Sequence, residues 1–366
     1  MRDYINIYKV RARLLLMLAT VLLAACSDDS DRVDGETDVL QLVAYSQGMT
    51  DLELMKTRGI PSGYDEYTGP NSIGVYTTSA DEAPSSIRTF SYVIDQWKSL
   101  VNVKNHETYY IYGYMPASSD INCIISKREG MDYTYGAVLT FSELPPVLAE
   151  DFCVVTGVQQ LDNKTDEVNL TPGVFTFTGK QTGSNFACLM LDHLYSCVMF
   201  KFLVKSDYDK LRTIKLTKVE LKTTQQISYP LEVTMIAGEN NYTVAWSDAT
   251  TFSNDFVSLS LPVSEDGDII LSATTPKEVE GYFAPVVDEQ NPSESVYNNL
   301  ELRCTYDVYD KKGNLTRQNC EAVNKLPALA AGRNKRTVLT LTVNPTYLYV
   351  LSEPDLDNPT MVIDVN

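Results

Sequence analysis

Leu300-Glu301-Leu302-Arg303-Cys304-Thr305-Tyr306-Asp307-Val308 alternates apolar and polar side chains without a break. A period of two puts every second residue on one face of an extended chain, so the stretch predicts a strand with one buried and one wet face. Residues 337–343 repeat the device with Leu339, Leu341 and Val343 inward, and Val257, Leu259 and Leu261 do so again. Residues 109–114, 174–177 and 197–204 are further strand-like runs, separated by loops containing Gly, Pro, Asn and Asp. No long amphipathic helix is visible. In Ile214-Lys215-Leu216-Thr217-Lys218-Val219-Glu220-Leu221 the apolar phase slips by one after Leu216, which predicts a bulge at Thr217. Many short strands with punctuating turns imply an all-β protein of antiparallel sheets packed as sandwiches. At 366 residues two sandwiches in tandem fit. The polar segment 206–212 is the expected boundary, dividing residues 39–206 from 207–366.

Asp and Glu number 48 against 30 Lys and Arg, a formal charge of −18, and an acidic surface repels phosphate, so a nucleic-acid partner is excluded. Two histidines leave no room for a multi-histidine metal site and confine acid–base chemistry to carboxylates or tyrosines. No G-x-S-x-G elbow, phosphate-binding glycine loop, H-E-x-x-H or C-x-x-C is present. The chain therefore reads as no enzyme, with no catalytic residue, cofactor or metal site. Glu265-Asp266-Gly267-Asp268 and Asp355-Leu356-Asp357-Asn358-Pro359 read as turns and not as cation sites. His193, among Leu191, Leu194 and Tyr195, reads as a core or interface histidine hydrogen-bonded to backbone. Asp310-Lys311-Lys312-Gly313-Asn314 predicts a hairpin turn, with Cys304 and Cys320 placed symmetrically about Lys312 to face each other. For the six cysteines other than Cys26, disulfides and buried thiols both remain open.

Arg2, Lys9, Arg11 and Arg13 precede the apolar run 14–23, about half the length a membrane-spanning helix needs, so residues 1–25 read as an export signal. The run ends Leu22-Leu23-Ala24-Ala25-Cys26, which resembles the lipobox of bacterial lipoproteins and implies that Cys26 becomes a lipidated N-terminus held at a membrane. Removing residues 1–25 leaves 26 basic and 47 acidic residues, a charge of −21. Residues 26–38 follow as an acidic tether, with Ser27-Asp28-Asp29-Ser30-Asp31, Asp34, Glu36 and Asp38, too poor in apolar side chains to fold alone. The tether looks like the surface-export signal of Bacteroidales lipoproteins; a spacer without an address is the alternative.

Several stretches in order carry a further likeness: Ile73-Gly74-Val75-Tyr76, Tyr109-Tyr110-Ile111-Tyr112-Gly113-Tyr114-Met115-Pro116, and His193-Leu194-Tyr195-Ser196-Cys197-Val198-Met199-Phe200-Lys201-Phe202. Residues 214–222 and Leu329-Ala330-Ala331-Gly332, leading into residues 338–343, continue it. With the lipobox, this series resembles the fimbrillin (Mfa-like) family, surface lipoproteins that form the type V pili of Bacteroidales, over residues 39–366. The resemblance implies two transthyretin-like β-sandwich domains, a place at the outer membrane surface in a fimbrium, other pilus subunits as partners, and assembly by strand exchange.

Val39-Leu40-Gln41-Leu42-Val43-Ala44-Tyr45 is an apolar strand close to the tether, followed by Lys56-Thr57-Arg58-Gly59. If it completes the first sandwich, a trypsin-like protease cutting between Arg58 and Gly59 releases it; Arg32 is an alternative site. Loss of Val39, Leu40, Leu42, Val43 and Tyr45 opens a groove that templates a new strand. Each large apolar side chain returned contributes about 1.5–3 kcal/mol, and each backbone hydrogen bond about 0.5–1.5 kcal/mol. The tail, residues 344–366, is the expected donor. Asn344-Pro345 is expected to break the last strand, leaving one piece with Tyr347, Leu348, Tyr349 and Val350 and another with Met361, Ile363 and Val365. Pro354 and Pro359 are expected to prevent a continuous strand between them. Alternatively both pieces finish the second sandwich of their own chain. The reading is thus a structural or adhesive pilus subunit with a host protein or glycan as a further ligand. The second reading is a surface glycan-binding lipoprotein that stacks sugar on the rings of Tyr109-Tyr110-Ile111-Tyr112-Gly113-Tyr114.

Overall fold

The alternation at 300–308 holds in space. Leu300, Leu302, Cys304, Tyr306 and Val308 are buried along the strand Leu300–Asp310, while Glu301, Arg303 and Thr305 are half-exposed. The computed structural model describes residues 37–366 except 48, 52–63, 70, 81, 83, 85, 119–120, 143, 224–227, 240–241, 249–254, 263–268, 285–295, 298–299, 331, 348–353 and 365–366. Among the described residues the protein is all-β apart from a 3-10 turn at Tyr133–Tyr135 and one α-helical turn at Ser206–Asp209.

Leu300–Asp310 pairs with Arg212–Thr223 on one side and with Leu315–Lys325 on the other. The phase slip after Leu216 is a bulge. Leu216 faces Tyr306 and Lys218 faces Thr305, so Thr217 is the extra residue, and its hydroxyl donates to the Thr305 carbonyl at 3.0 Å. The predicted hairpin is present. The Asp310 carboxylate accepts from the backbone N–H of Lys312 and of Asn314, both at 2.8 Å, and Gly313 takes the positive φ of 86° that the turn requires. The two cysteines do not face each other, however. Cys320 lies opposite Tyr306, and Cys304 opposite Ala322. The returning strand carries extra residues near Asn319, whose φ is 53° and whose N–H donates to Asp307, and these shift the register. All six described cysteines are free thiols.

This five-stranded sheet packs against a six-stranded one that includes Ser196–Val204, Lys277–Phe283, Lys335–Tyr347 and the edge strand Pro354–Asp364. Phe200, Phe202, Ile214, Leu302, Leu341 and Val343 meet in the core between them. Two expectations about proline are corrected. Lys335–Tyr347 runs through Asn344-Pro345, and Pro354–Asp364 contains both Pro354 and Pro359 as one strand, so Asp355-Leu356-Asp357-Asn358-Pro359 is not a turn. The reason is position. Between Asn344 and Thr346 on one strand, and between Asp355 and Thr360 on the other, the ladder skips, so Pro345 and Pro359 occupy unpaired positions, and Pro354 begins an edge strand.

The remaining large sheet closes on itself. Cys153–Leu161 pairs with Phe186–His193; from there the order runs through Gln41–Gln47, Trp97–Lys98, Arg88–Tyr92 and Ile73–Thr78 to Thr108–Met115, which pairs back onto Cys153–Leu161. The ring encloses its own core, with Leu40, Leu42, Ala44, Val75, Phe90 and Leu189 among its members. The chain leaves it at His193 and enters the six-stranded sheet at Ser196, ahead of residues 206–212. A four-stranded sheet links the two halves of the sequence, since Gly136–Phe141 pairs with Ser228–Ile236. One apolar cluster therefore runs from Tyr112 and Phe141 through Phe152 and Tyr195 to Phe200 and Leu302, and residues 38–366 form one compact unit.

Candidate functional site

Gln41–Gln47 closes the ring, with one continuous strand along one side and several short segments along the other. Along one side it runs parallel to Phe186–His193 with six residues in register, Gln41 opposite Phe186 through Ser46 opposite Leu191. Along the other it meets several short segments in turn: Leu40 N–H donates to the Val101 carbonyl, Leu42 lies opposite Trp97, the Ala44 carbonyl accepts from Tyr67 N–H at 2.7 Å, and three residues pair with the strand Tyr64–Glu66. A cleft of about 180 Å³ lined by Gln41, Leu42, Glu66, Trp97, Lys164 and Phe186 opens beside the strand, and the buried Trp97 Nε1 has no hydrogen-bond partner.

The side chains explain why the strand is seated at all. Leu40 and Ala44 are fully buried and Leu42 nearly so, all in the ring's interior. Val43 points to the other face, where it packs with Leu161 and Cys188, and Tyr45 covers that group half-buried. Burial pushes the Cys188 thiol up to about 12, so it behaves as a small apolar group. Val39 is the exposed member of the set. Polar contacts fasten the upstream end: the Asp38 carboxylate accepts from the N–H of Gly183 at 2.7 Å and from the fully buried Asn185 side chain at 3.0 Å. Leu40 N–H donates to the Val101 carbonyl.

The tail is not beside this strand. Within its own chain Pro354–Asp364 lies antiparallel on Lys335–Tyr347, with Met361 opposite Val343 and Ile363 opposite Leu341; Met361 is buried in the second core and Ile363 packs half-buried against it. Of the other expected tail residues, Tyr347 ends the preceding strand, paired with Pro354, whereas Leu348, Tyr349, Val350 and Val365 lie outside the described residues. So do Cys26, Arg32, Arg58, Gly59 and the 265–268 acidic run.

The tyrosine strand is not a sugar platform. Tyr112 is fully buried and donates to the Tyr133 carbonyl at 2.7 Å; Tyr114 stands edge-on to Phe141 at 5.2 Å; Tyr110 is half-buried against the same core. Burial raises the Tyr112 and Tyr114 hydroxyls, Tyr114 to about 12. Rings spaced along a central strand of a closed sheet are taken up by packing.

One cluster has no counterpart in the sequence reading. Cys153 begins its strand directly opposite His193, the last residue of the adjoining strand, and Asp151 stands two residues upstream. The Cys153 Sγ is 3.3 Å from His193 Nδ1 and donates to Asp151 Oδ2 at 3.4 Å, and the same Asp151 oxygen is 2.5 Å from Nδ1. All three residues are buried, and Asp151 Oδ1 has no partner. His193 is thus a core histidine as expected, but a carboxylate and a thiol face its Nδ1. Both meet the same ring nitrogen, so imidazole cannot relay a proton from thiol to carboxylate, and the fully buried Cys153 thiol, pushed well above its ordinary range by desolvation and then by Asp151, is no nucleophile. Forty residues separate Cys153 from His193, and only strand register brings them together.

No model of a known protein family matches the chain, and no curated protein does. Among solved structures it is similar to a fimbrial protein from Bacteroides vulgatus, with 12% identity, 80% of this chain and 91% of that chain covered, and a TM-score of 0.37. A cell adhesion protein from Bacteroides fragilis aligns at 11% identity, covering 90% and 98%, with a TM-score of 0.40. The fimbrial anchor protein Mfa2 from Porphyromonas gingivalis aligns at 12% identity, covering 89% and 97%, with a TM-score of 0.26.

Proposed function

We propose that the chain is a structural or adhesive subunit of a cell-surface pilus, exported as a lipoprotein on Cys26 and assembled when a protease releases its first strand. The observation that carries this reading is the seating of Gln41–Gln47: an interior strand of a closed sheet, buried on both faces, paired along one side with a single continuous strand and along the other with several short segments. A cut between Arg58 and Gly59 separates it from the rest of the chain while leaving Tyr64–Glu66 as a stub on the far wall. Phe186–Leu191 then presents a free backbone edge, and the ring interior presents the places of Leu40, Leu42 and Ala44. Such an edge recruits a strand from another subunit, and the side chains it takes in supply the free energy of association.

In the proposed assembly the donor is the tail of a neighbouring subunit, residues 344–366, which leaves the sheet edge it occupies in its own chain and brings Met361, Ile363 and Val365 to the slot. Partners are other pilus subunits and the outer membrane, with a host protein or glycan at the exposed end of the fibre. Protease-treated full-length protein should start at Gly59 on N-terminal sequencing, form oligomer ladders and show filaments by electron microscopy, and the ladders should vanish when residues after Val343 are deleted. A chain that polymerises with residues 39–45 still attached, or stays monomeric after their removal, refutes the proposal.

A further inference from the structure

We propose that Asp151, Cys153 and His193 form a binding site for a transition-metal dication of borderline softness, zinc being the natural occupant. The three ligand atoms lie within 4.8 Å of one another, on a set of donors, thiolate, imidazole and carboxylate, that suits zinc and is a poor match for calcium or magnesium. Tetrahedral ligands at ordinary zinc distances stand about 3.3–3.6 Å apart. The sulfur-to-nitrogen and sulfur-to-oxygen separations, 3.3 and 3.4 Å, already have that length, and only the 2.5 Å nitrogen-to-oxygen contact must open when a cation takes the place of the proton between them.

Charge agrees with geometry. A thiolate and a carboxylate together neutralise a dication, so the loaded site buries no net charge. Asp151 also lines a cleft of about 460 Å³, together with Asn71, Glu150 and Tyr282, which provides an approach for the ion and room for a water as fourth ligand. On binding, the Cys153 thiol proton leaves to solvent and His193 Nδ1 gives up the proton it shares with Asp151; no electron moves. The metal joins the start of Cys153–Leu161 to the end of Phe186–His193, where the chain crosses from the ring to the six-stranded sheet.

The full chain, stripped with EDTA, is titrated with Co²⁺ and then Zn²⁺. The expected result is a thiolate-to-cobalt charge-transfer band that saturates at one equivalent, disappears on adding Zn²⁺, and is lost in Cys153→Ser and His193→Asn. Wild-type crystals soaked in Zn²⁺ provide the second measurement, independent of whether the variants fold: an anomalous peak within about 2.0–2.3 Å of all three ligand atoms is expected. No band from the wild-type protein, a band that persists in a folded Cys153→Ser variant, or no anomalous peak among the three residues overturns the proposal.

Discussion

The strands Gln41–Gln47 and Pro354–Asp364 lie toward opposite ends of the described chain, and they are built in opposite ways. Gln41–Gln47 sits inside a closed ring, flanked on both sides and buried on both faces; Pro354–Asp364 lies on an open edge, with prolines and a skipped ladder where it passes Pro345. Taking away the first leaves a hole with apolar walls, whereas taking away the second lengthens an edge that is already there. In the proposed assembly the first is the strand whose loss creates a demand and the second the one that meets it.

The sharpest way to break this contrast is a charge in the slot. Leu40→Asp places an unpaired carboxylate at a fully buried position and should cost about 4 kcal/mol or more in urea unfolding. A loss under 1 kcal/mol means that the strand is not seated. Met361→Ala removes the buried anchor of the tail and should cost about 2 kcal/mol, the low end for such a truncation, because an edge strand can settle into the space. If it costs as much as the charge in the slot, the tail is no edge.

Two smaller effects sharpen the comparison from either side. Ile94 holds a φ of 50°, a left-handed conformation that a β-branched residue resists, in the exposed turn between Arg88–Tyr92 and Trp97–Lys98 on one wall of the slot. Ile94→Gly should therefore raise stability by about 1 kcal/mol and slow release of the first strand after proteolysis, read by thermal melting and by the rate of strand loss. Far from both ends, Arg303 Nε and Lys218 Nζ each stand 2.7 Å from the Glu220 carboxylate, and hydrogen bonding to Arg303, ahead of that to Lys218, holds its pKa below the usual 4.5. Its stabilisation is complete above the unfolded pKa and fades as pH falls through the lower folded value. Wild type should exceed Glu220→Gln by up to about 1 kcal/mol at neutral pH, with the gap closing as pH falls below the usual carboxylate range in pH-dependent denaturation.

Much of this architecture was legible where the cause is local. Alternation at 300–308, the slip after Leu216 and the Asp310 to Asn314 turn depend on a period or on a few adjacent residues, and each is found where the residues place it. Reading failed where a distant partner decides. Symmetry about Lys312 aligned Cys304 with Cys320 only on an unbroken ladder, and the irregularity at Asn319 spoils it. Proline rules out a central strand but not an edge or a bulge, so Pro345 and Pro359 misled until their neighbours were known. Residues 39–45 look like a strand to any pattern search, but nothing near them announces Phe186–His193 as their partner. The Asp151, Cys153 and His193 cluster is the extreme case, since no spacing motif links residues joined only by register.

Phe186–His193 accepts its neighbour in the parallel sense, and that has a consequence for architecture on a larger scale. In the proposed assembly, if each incoming ribbon keeps the heading of the strand it replaces, each added molecule repeats the orientation of the one before. A fibre grown by this rule has an arrowhead: its two tips are chemically unlike, and it can lengthen by one reaction at one of them and by a different reaction at the other.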